Sequence, residues 1–273
     1  QLMRVEADAT SDTQPFWLVR RGASKVYIFV DFGSVTPKWS APRVEAAFSE
    51  AQVFWKETAD LAADTRDKFI AAGRAGDRPL STWLTAEQKE DVAAAAVEAG
   101  TTYAALEPLK PWLAAISLNA AYNQSRKHVP VDEALPILNA RALAQGKTIR
   151  AEFPDAESQL ELTNSLSPAA QVEYLFFTIE NNRTSPDAVD RRRRVWIAGD
   201  LSLETRQVEH FKANFPNLYE PFEVRRNLAW PARIRQMLDE GQTSFVMVGA
   251  WHMVGPDSVP VQLSRGGLTA ERI

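Results

Sequence analysis

The sequence has no cysteine and only three histidines among 273 residues. Without cysteine there is no disulfide, no thiolate nucleophile and no Cys-ligated zinc. The absence fits an envelope compartment, where free thiols are a hazard. No apolar run approaches the ~18–20 residues that a bilayer-spanning helix needs, so no transmembrane segment is expected. An excess of positive charge is also missing. The net charge is -4 and the pI about 5.6, which excludes a strongly basic nucleic-acid surface. The one basic run, Arg191-Arg192-Arg193-Arg194, sits among helix formers and reads as a solvated helix face. The first residue is Gln1 rather than methionine. That is expected of an exported chain whose signal peptide has been removed, or of one cut at an arbitrary boundary.

What is present is ordinary globular composition, 45% hydrophobic and 24% charged, with apolar material for a sizeable core. The first third reads as strands. Leu2 to Ala7, Phe16 to Arg20 and Lys25 to Phe32 are short, β-rich runs separated by turn residues. Ser40 to Ala51 reads as a helix with Ser40 as N-cap and Pro42 in its first turn. Gln52 to Glu57 reads as a strand. The middle is helical: Leu106, Leu109, Leu113, Ile116 and Ala120 form one stripe. Val131 to Gln145 forms a second helix closed by Gly146, and Val172, Leu175, Phe176 and Ile179 form another stripe. A short extended run, Thr148 to Phe153, interrupts these helices. Helical patterns run on to Leu238, where Gly241 stops them. Strand character returns at Ser244 to Gly249, then a short helix around Asp257 to Leu263 and a last strand, Leu268 to Ile273. Strands at both ends with helices between predict an α+β fold. A mixed sheet is built from N- and C-terminal strands, with a helical insertion over roughly residues 58–240, in one domain covering residues 1–273.

Chemistry concentrates at strand ends. The stretch "YIFVDFGSV" carries Asp31 at the end of an apolar strand, where an unpaired charge is costly. Glu57 and Glu152 occupy similar places. His252 follows the apolar strand that ends at Gly249, whereas His128 and His210 lie in polar surroundings and read as surface groups. Strand ends are where α/β folds place functional groups. If these faces converge, three carboxylates and an imidazole make an oxygen-rich metal site or an acid/base pair. Otherwise they form separate salt bridges, Glu57 with Lys56 or an arginine and Glu152 with Arg150. In "PNLYEPFEVRRNLAW", Arg226 and Asn227 offer a planar cation and an amide suited to a carboxylate or carbonyl ligand. Of the eight tryptophans, Trp55 and Trp251 are the candidates for a ligand cleft.

Taken in order, "AQVFWKE", "LKPWLAAISL", "VDEALPILNARALAQGKTI", "LYEPFEVRRNLAW" and "FVMVGAWHMVGPDSVPVQLSRGGLTAERI" resemble the TraB/GumN family, bacterial relatives of the Tiki proteins that inactivate Wnt. The resemblance implies an α+β fold with a mixed sheet, and an exported or envelope-anchored (periplasmic) protein. It also implies a site of two G-x-x-H motifs and glutamates, which in Tiki is a divalent-metal protease. Gly249-Ala250-Trp251-His252 matches the second motif, Glu57 and Glu152 match the glutamates, and Arg226-Asn227 matches the Arg-Asn pair. The first motif is degenerate. Where the family has Phe-Gly-Thr-x-His, this chain has Phe29-Val30-Asp31-Phe32-Gly33.

Three readings follow. In the first, His252 with Asp31 or Glu57 hydrolyses an amide or ester of a small molecule or peptide. Arg226, Asn227, Glu152, Trp55 and Trp251 then bind the substrate. In the second, the cleft binds a small-molecule or peptide ligand without turnover, as a pseudoenzyme. In the third, Asp31 replaces the missing histidine in a site for a divalent metal such as Mn, since oxygen-rich sites favour Mn, Mg or Ca over Zn.

Overall fold

The computed structural model describes residues 13–31, 41–60, 62–125 and 134–273. Its apolar runs become β1 (Phe16–Arg21), β2 (Ser24–Asp31), β3 (Val53–Thr58), β4 (Thr148–Phe153), β5 (Ser244–Gly249) and β6 (Ala270–Arg272). They form one sheet in the order β4-β3-β5-β2-β1-β6. β4, β3, β5 and β2 run parallel, while β1 is antiparallel to both of its neighbours. Gly22, with φ +60°, turns β1 into β2 in two residues. Tyr27 to Val30 and Ser244 to Val248 are buried throughout, as expected of parallel strands covered on both faces.

One layer of the core is aromatic. Phe245 packs on Phe48 at 5.2 Å, on Phe16 at 5.8 Å and on Phe29 at 6.2 Å between ring centroids. Trp196 meets Phe29 at 5.9 Å and donates its indole N–H to the Val30 carbonyl at 3.2 Å. That bond fixes the helix Pro186–Ile197 against the end of β2. A second apolar cluster, including Leu80, Val92, Leu118, Leu175 and Ile179, holds together the helices Ala86–Glu98, Pro111–Ser125 and Pro168–Asn182.

The architecture is the α+β one expected, with strands from both ends and helices between. The boundaries move slightly. The helix expected from Ser40 begins at Pro42 and the one expected from Val131 is described from Ala134. The short helix near the end is Val259–Arg265, and the last strand is only Ala270–Arg272. Gly146 and Gly241 terminate helices with φ +63° and +71°, as the patterns predicted. The expected strand Leu2 to Ala7, the Ser40 cap, His128 and Gly33 lie outside the described residues.

Candidate functional site

Parallel pairing sets the carboxyl ends of β2, β3, β4 and β5 along one edge of the sheet, the side where open parallel sheets bind ligands. Asp31 is the register partner of Gly249. Glu57 stands near the end of β3 and Glu152 near the end of β4. His252 sits in a single 3₁₀ turn, Ala250–Met253, immediately after β5. The helix Arg225–Asp239 crosses this edge and is entered through a π-turn, Glu220–Val224. Such turns are often found at functional sites.

The resulting pocket holds about 270 Å³, with Asp31, Glu57, Glu223, Arg226, Trp251 and His252 among its walls. Arg226 is its central cation. One terminal nitrogen donates to Glu57 Oε2 and to Glu152 Oε2, both at 2.8 Å, and Nε donates to Glu152 Oε1 at 3.2 Å. Arg233, two turns further along the same helix, reaches Glu152 Oε1 at 2.9 Å. Glu152, with a side chain 2% exposed, is therefore clamped behind Arg226 and is not in the pocket wall. Burial opposes the charge on Arg226, but Glu57 and Glu152 outweigh it and hold the guanidinium protonated.

His252, 3% exposed, is oriented from behind. Its Nδ1 lies 2.6 Å from Asn227 Oδ1 and 3.2 Å from Glu223 Oε2. Both are acceptors, so Nδ1 carries a proton and Nε2 is turned towards Glu57, whose Oε1 is 3.8 Å away. Burial and the Arg226 charge push the imidazole down. Glu223 and Glu57 prevail, and its pKa rises to about 9. Glu57 shifts the other way. Burial raises it, but the His252 charge and hydrogen bond, Arg226 and the Gly249 amide hold it well below the usual carboxylate range. Its side chain is 29% exposed, so water screens part of this effect.

The sequence-predicted residues divide accordingly. Asp31, Glu57, Arg226, Trp251 and His252 share the pocket. Asn227 is buried behind His252 and Glu152 behind Arg226. Trp55 packs beside the core under Arg150 and does not line the pocket. The separate salt bridges considered for Lys56 and Arg150 go elsewhere, Lys56 to Asp60 and Arg150 to Glu240. His210 is a surface group bonded to Glu180 and Asn214.

Three wall residues escaped the sequence reading. Glu223 orients His252. Arg192, from the run expected to be a solvated face, donates two bonds to Glu204 at 3.0 and 2.9 Å, and Glu204 also accepts the Trp251 indole N–H at 2.8 Å. Arg192 is one turn from Trp196, on the face that docks against β2. Glu204 carried a legible signal. It interrupts the apolar stripe Leu201, Val208 and Phe211, where a charge must find a partner.

The metal that the resemblance implies does not fit these residues. Among the described residues no three His, Cys, Asp or Glu side chains are grouped to hold an ion. Both oxygens of Glu57 already accept, one from Arg226 and one from the Gly249 amide. An imidazole with a pKa of about 9 is also protonated at neutral pH, so an ion would have to displace that proton to bind.

No curated protein and no solved structure matches the chain. A family model does: the model of the TraB/PrgY/gumN family covers residues 15–272, and the chain belongs to that family.

Proposed function

We propose that the pocket is a metal-independent acid–base site that hydrolyses an ester or amide bond of a small molecule or short peptide. The observation that carries this reading is the orientation of His252. A carboxylate and an amide fix its Nδ1 side, and Nε2 faces the pocket, the arrangement that prepares an imidazole for proton transfer. With a pKa of about 9 it enters the reaction protonated, as the general acid that delivers a proton to the leaving group. The base is a carboxylate. Glu57 is a weak one, because Arg226 and the Gly249 amide stabilise its anion. Asp31, half-buried on the same rim and beside Gly249, takes the proton from the attacking water, while Glu57 keeps His252 charged. The pocket is small against the ~300–1,000 Å³ usual for ligand sites, so it accommodates one substituent of the substrate.

A second reading, a binding pocket without turnover, draws support from Arg226 and Glu57 satisfying one another. The family resemblance and the lack of cysteine support an envelope location for either. Among the described residues no helix is long and apolar enough to cross a membrane.

The test is hydrolysis of a panel of aryl esters and peptide anilides in the presence of chelator. Turnover should survive the chelator, decline as pH rises through about 9, and be lost in Asp31→Asn and His252→Gln. In Glu57→Gln the alkaline limb should move down by about 1 pH unit, because the imidazolium loses one of its anions. Turnover that is equal in His252→Gln, or absent with every substrate, would remove the enzymatic reading.

A further inference from the structure

On the far side of Arg192 from the pocket lies a second recess of about 170 Å³, between the helices Pro186–Ile197 and Ser202–Asn214. Its polar lining is Thr184, Arg191, Arg192, Arg206, Gln207 and His210, with no acidic residue. Arg192 is committed to Glu204, and His210 to Glu180 and Asn214. Arg191 and Arg206, one on each helix, make no hydrogen bond or salt bridge among the described residues. Asp200 is lowered mainly by the backbone and hydroxyl of Ser202, and only further by the Arg206 charge. Gln207 Oε1 is buried without a partner. An amide can exchange its oxygen and nitrogen by a half-turn, so this side chain can present donors instead. Ala188, small and half-buried, leaves the hollow open.

We propose that this recess binds a small phosphate-class oxyanion. Two guanidinium forks from facing helices suit the several oxygens of such an anion, and Thr184 and Gln207 supply neutral donors between them. Asp187, Asp190 and Glu209 are exposed on the same two helices, so the surrounding surface is mixed in sign. That favours a free anion held in the hollow over a flat anionic bilayer, which needs a broad basic field.

The experiment is calorimetric titration of the full chain with sodium phosphate and with pyrophosphate, at ionic strength fixed by sodium chloride, alongside thermal unfolding. Saturable binding at one site per chain is expected. The double variant Arg191→Gln/Arg206→Gln should weaken it by tenfold or more, since it removes both guanidinium forks and their charge. Ala188→Leu, which fills the hollow, should also weaken binding, and His252→Gln should leave it unchanged. Absence of saturable binding, or equal affinity in the double variant, would overturn the proposal. So would sedimentation with phosphatidylglycerol vesicles that persists in excess pyrophosphate, because the surface would then be reading a membrane.

Discussion

His252 makes stability depend on pH in a direction that can be worked out in advance. An unfolded histidine titrates near 6.5, whereas the folded imidazole titrates at about 9. The folded state therefore binds the proton more tightly. Its contribution is fully present below pH 6.5 and is lost as pH rises through 9. At 1.36 kcal/mol per pKa unit the shift amounts to roughly 3 kcal/mol. For a chain of this size that corresponds to a melting temperature lower by roughly 6–12 °C. The assay is thermal or urea unfolding of the wild type and of His252→Gln at several pH values between 6 and 9.5. The Gln amide can still donate to Asn227 and Glu223 but cannot titrate. The wild-type curve should fall relative to the variant across this range, the two differing most at neutral and acid pH. Parallel curves would show that Glu223 and Glu57 do not hold a proton on the ring. The acid role given to His252 would then fail with them.

Two further substitutions probe the walls. Glu204→Gln breaks a buried pair with Arg192 and weakens the acceptor for Trp251. A loss of about 3 kcal/mol is expected in urea unfolding, with a change in near-ultraviolet circular dichroism from the freed indole; a loss below about 1 kcal/mol would show the pair to be solvated. Gly249→Ala places a Cβ 3.2 Å from Glu57 Oε1. The backbone there is extended, so stability should change by less than about 1 kcal/mol. The displaced carboxylate should nevertheless lower turnover or move its alkaline limb, and an unchanged pH profile would show that Glu57 has room to give.

Much of this site was legible because strands announce their ends. A charge closing an apolar run, as at Asp31, Glu57 and His252, is costly unless something answers it, and the parallel sheet gathers those ends on one edge. Pairing was not legible. Nothing in the spacing chose Arg226 rather than Lys56 for Glu57, or Glu240 rather than Glu152 for Arg150, because such choices depend on where the helix Arg225–Asp239 crosses the sheet. Arg192 was lost for a related reason. Four consecutive arginines look alike in sequence, and only the docking of Trp196 under β2 decides which of them turns inward. Trp55 failed in the opposite sense. Alternation put it on the face of Glu57, but the strand end opens on the pocket while Trp55, two residues earlier, is still beneath the core.

The charge pattern also says why a carboxylate at position 31 is tolerable. Arg226, Arg192 and His252 bring three positive charges to one hollow, and Glu57, Glu204 and Glu223 answer them. Asp31 adds a fourth anion on the rim of an otherwise balanced set. It is half-buried and keeps contact with water, so its desolvation is partial and the cations lower the cost further. A divalent ion added to the same walls would have to displace guanidinium from Glu57 and a proton from His252. Both steps work against binding at neutral pH; the loss of the proton becomes easier as pH approaches 9, whereas the guanidinium keeps its charge throughout. Titration with manganese at pH 7 and at pH 9.5, followed by calorimetry, separates the alternatives. Tight binding already at pH 7 would mean that Arg226 yields its place, and the metal-independent chemistry would have to be abandoned.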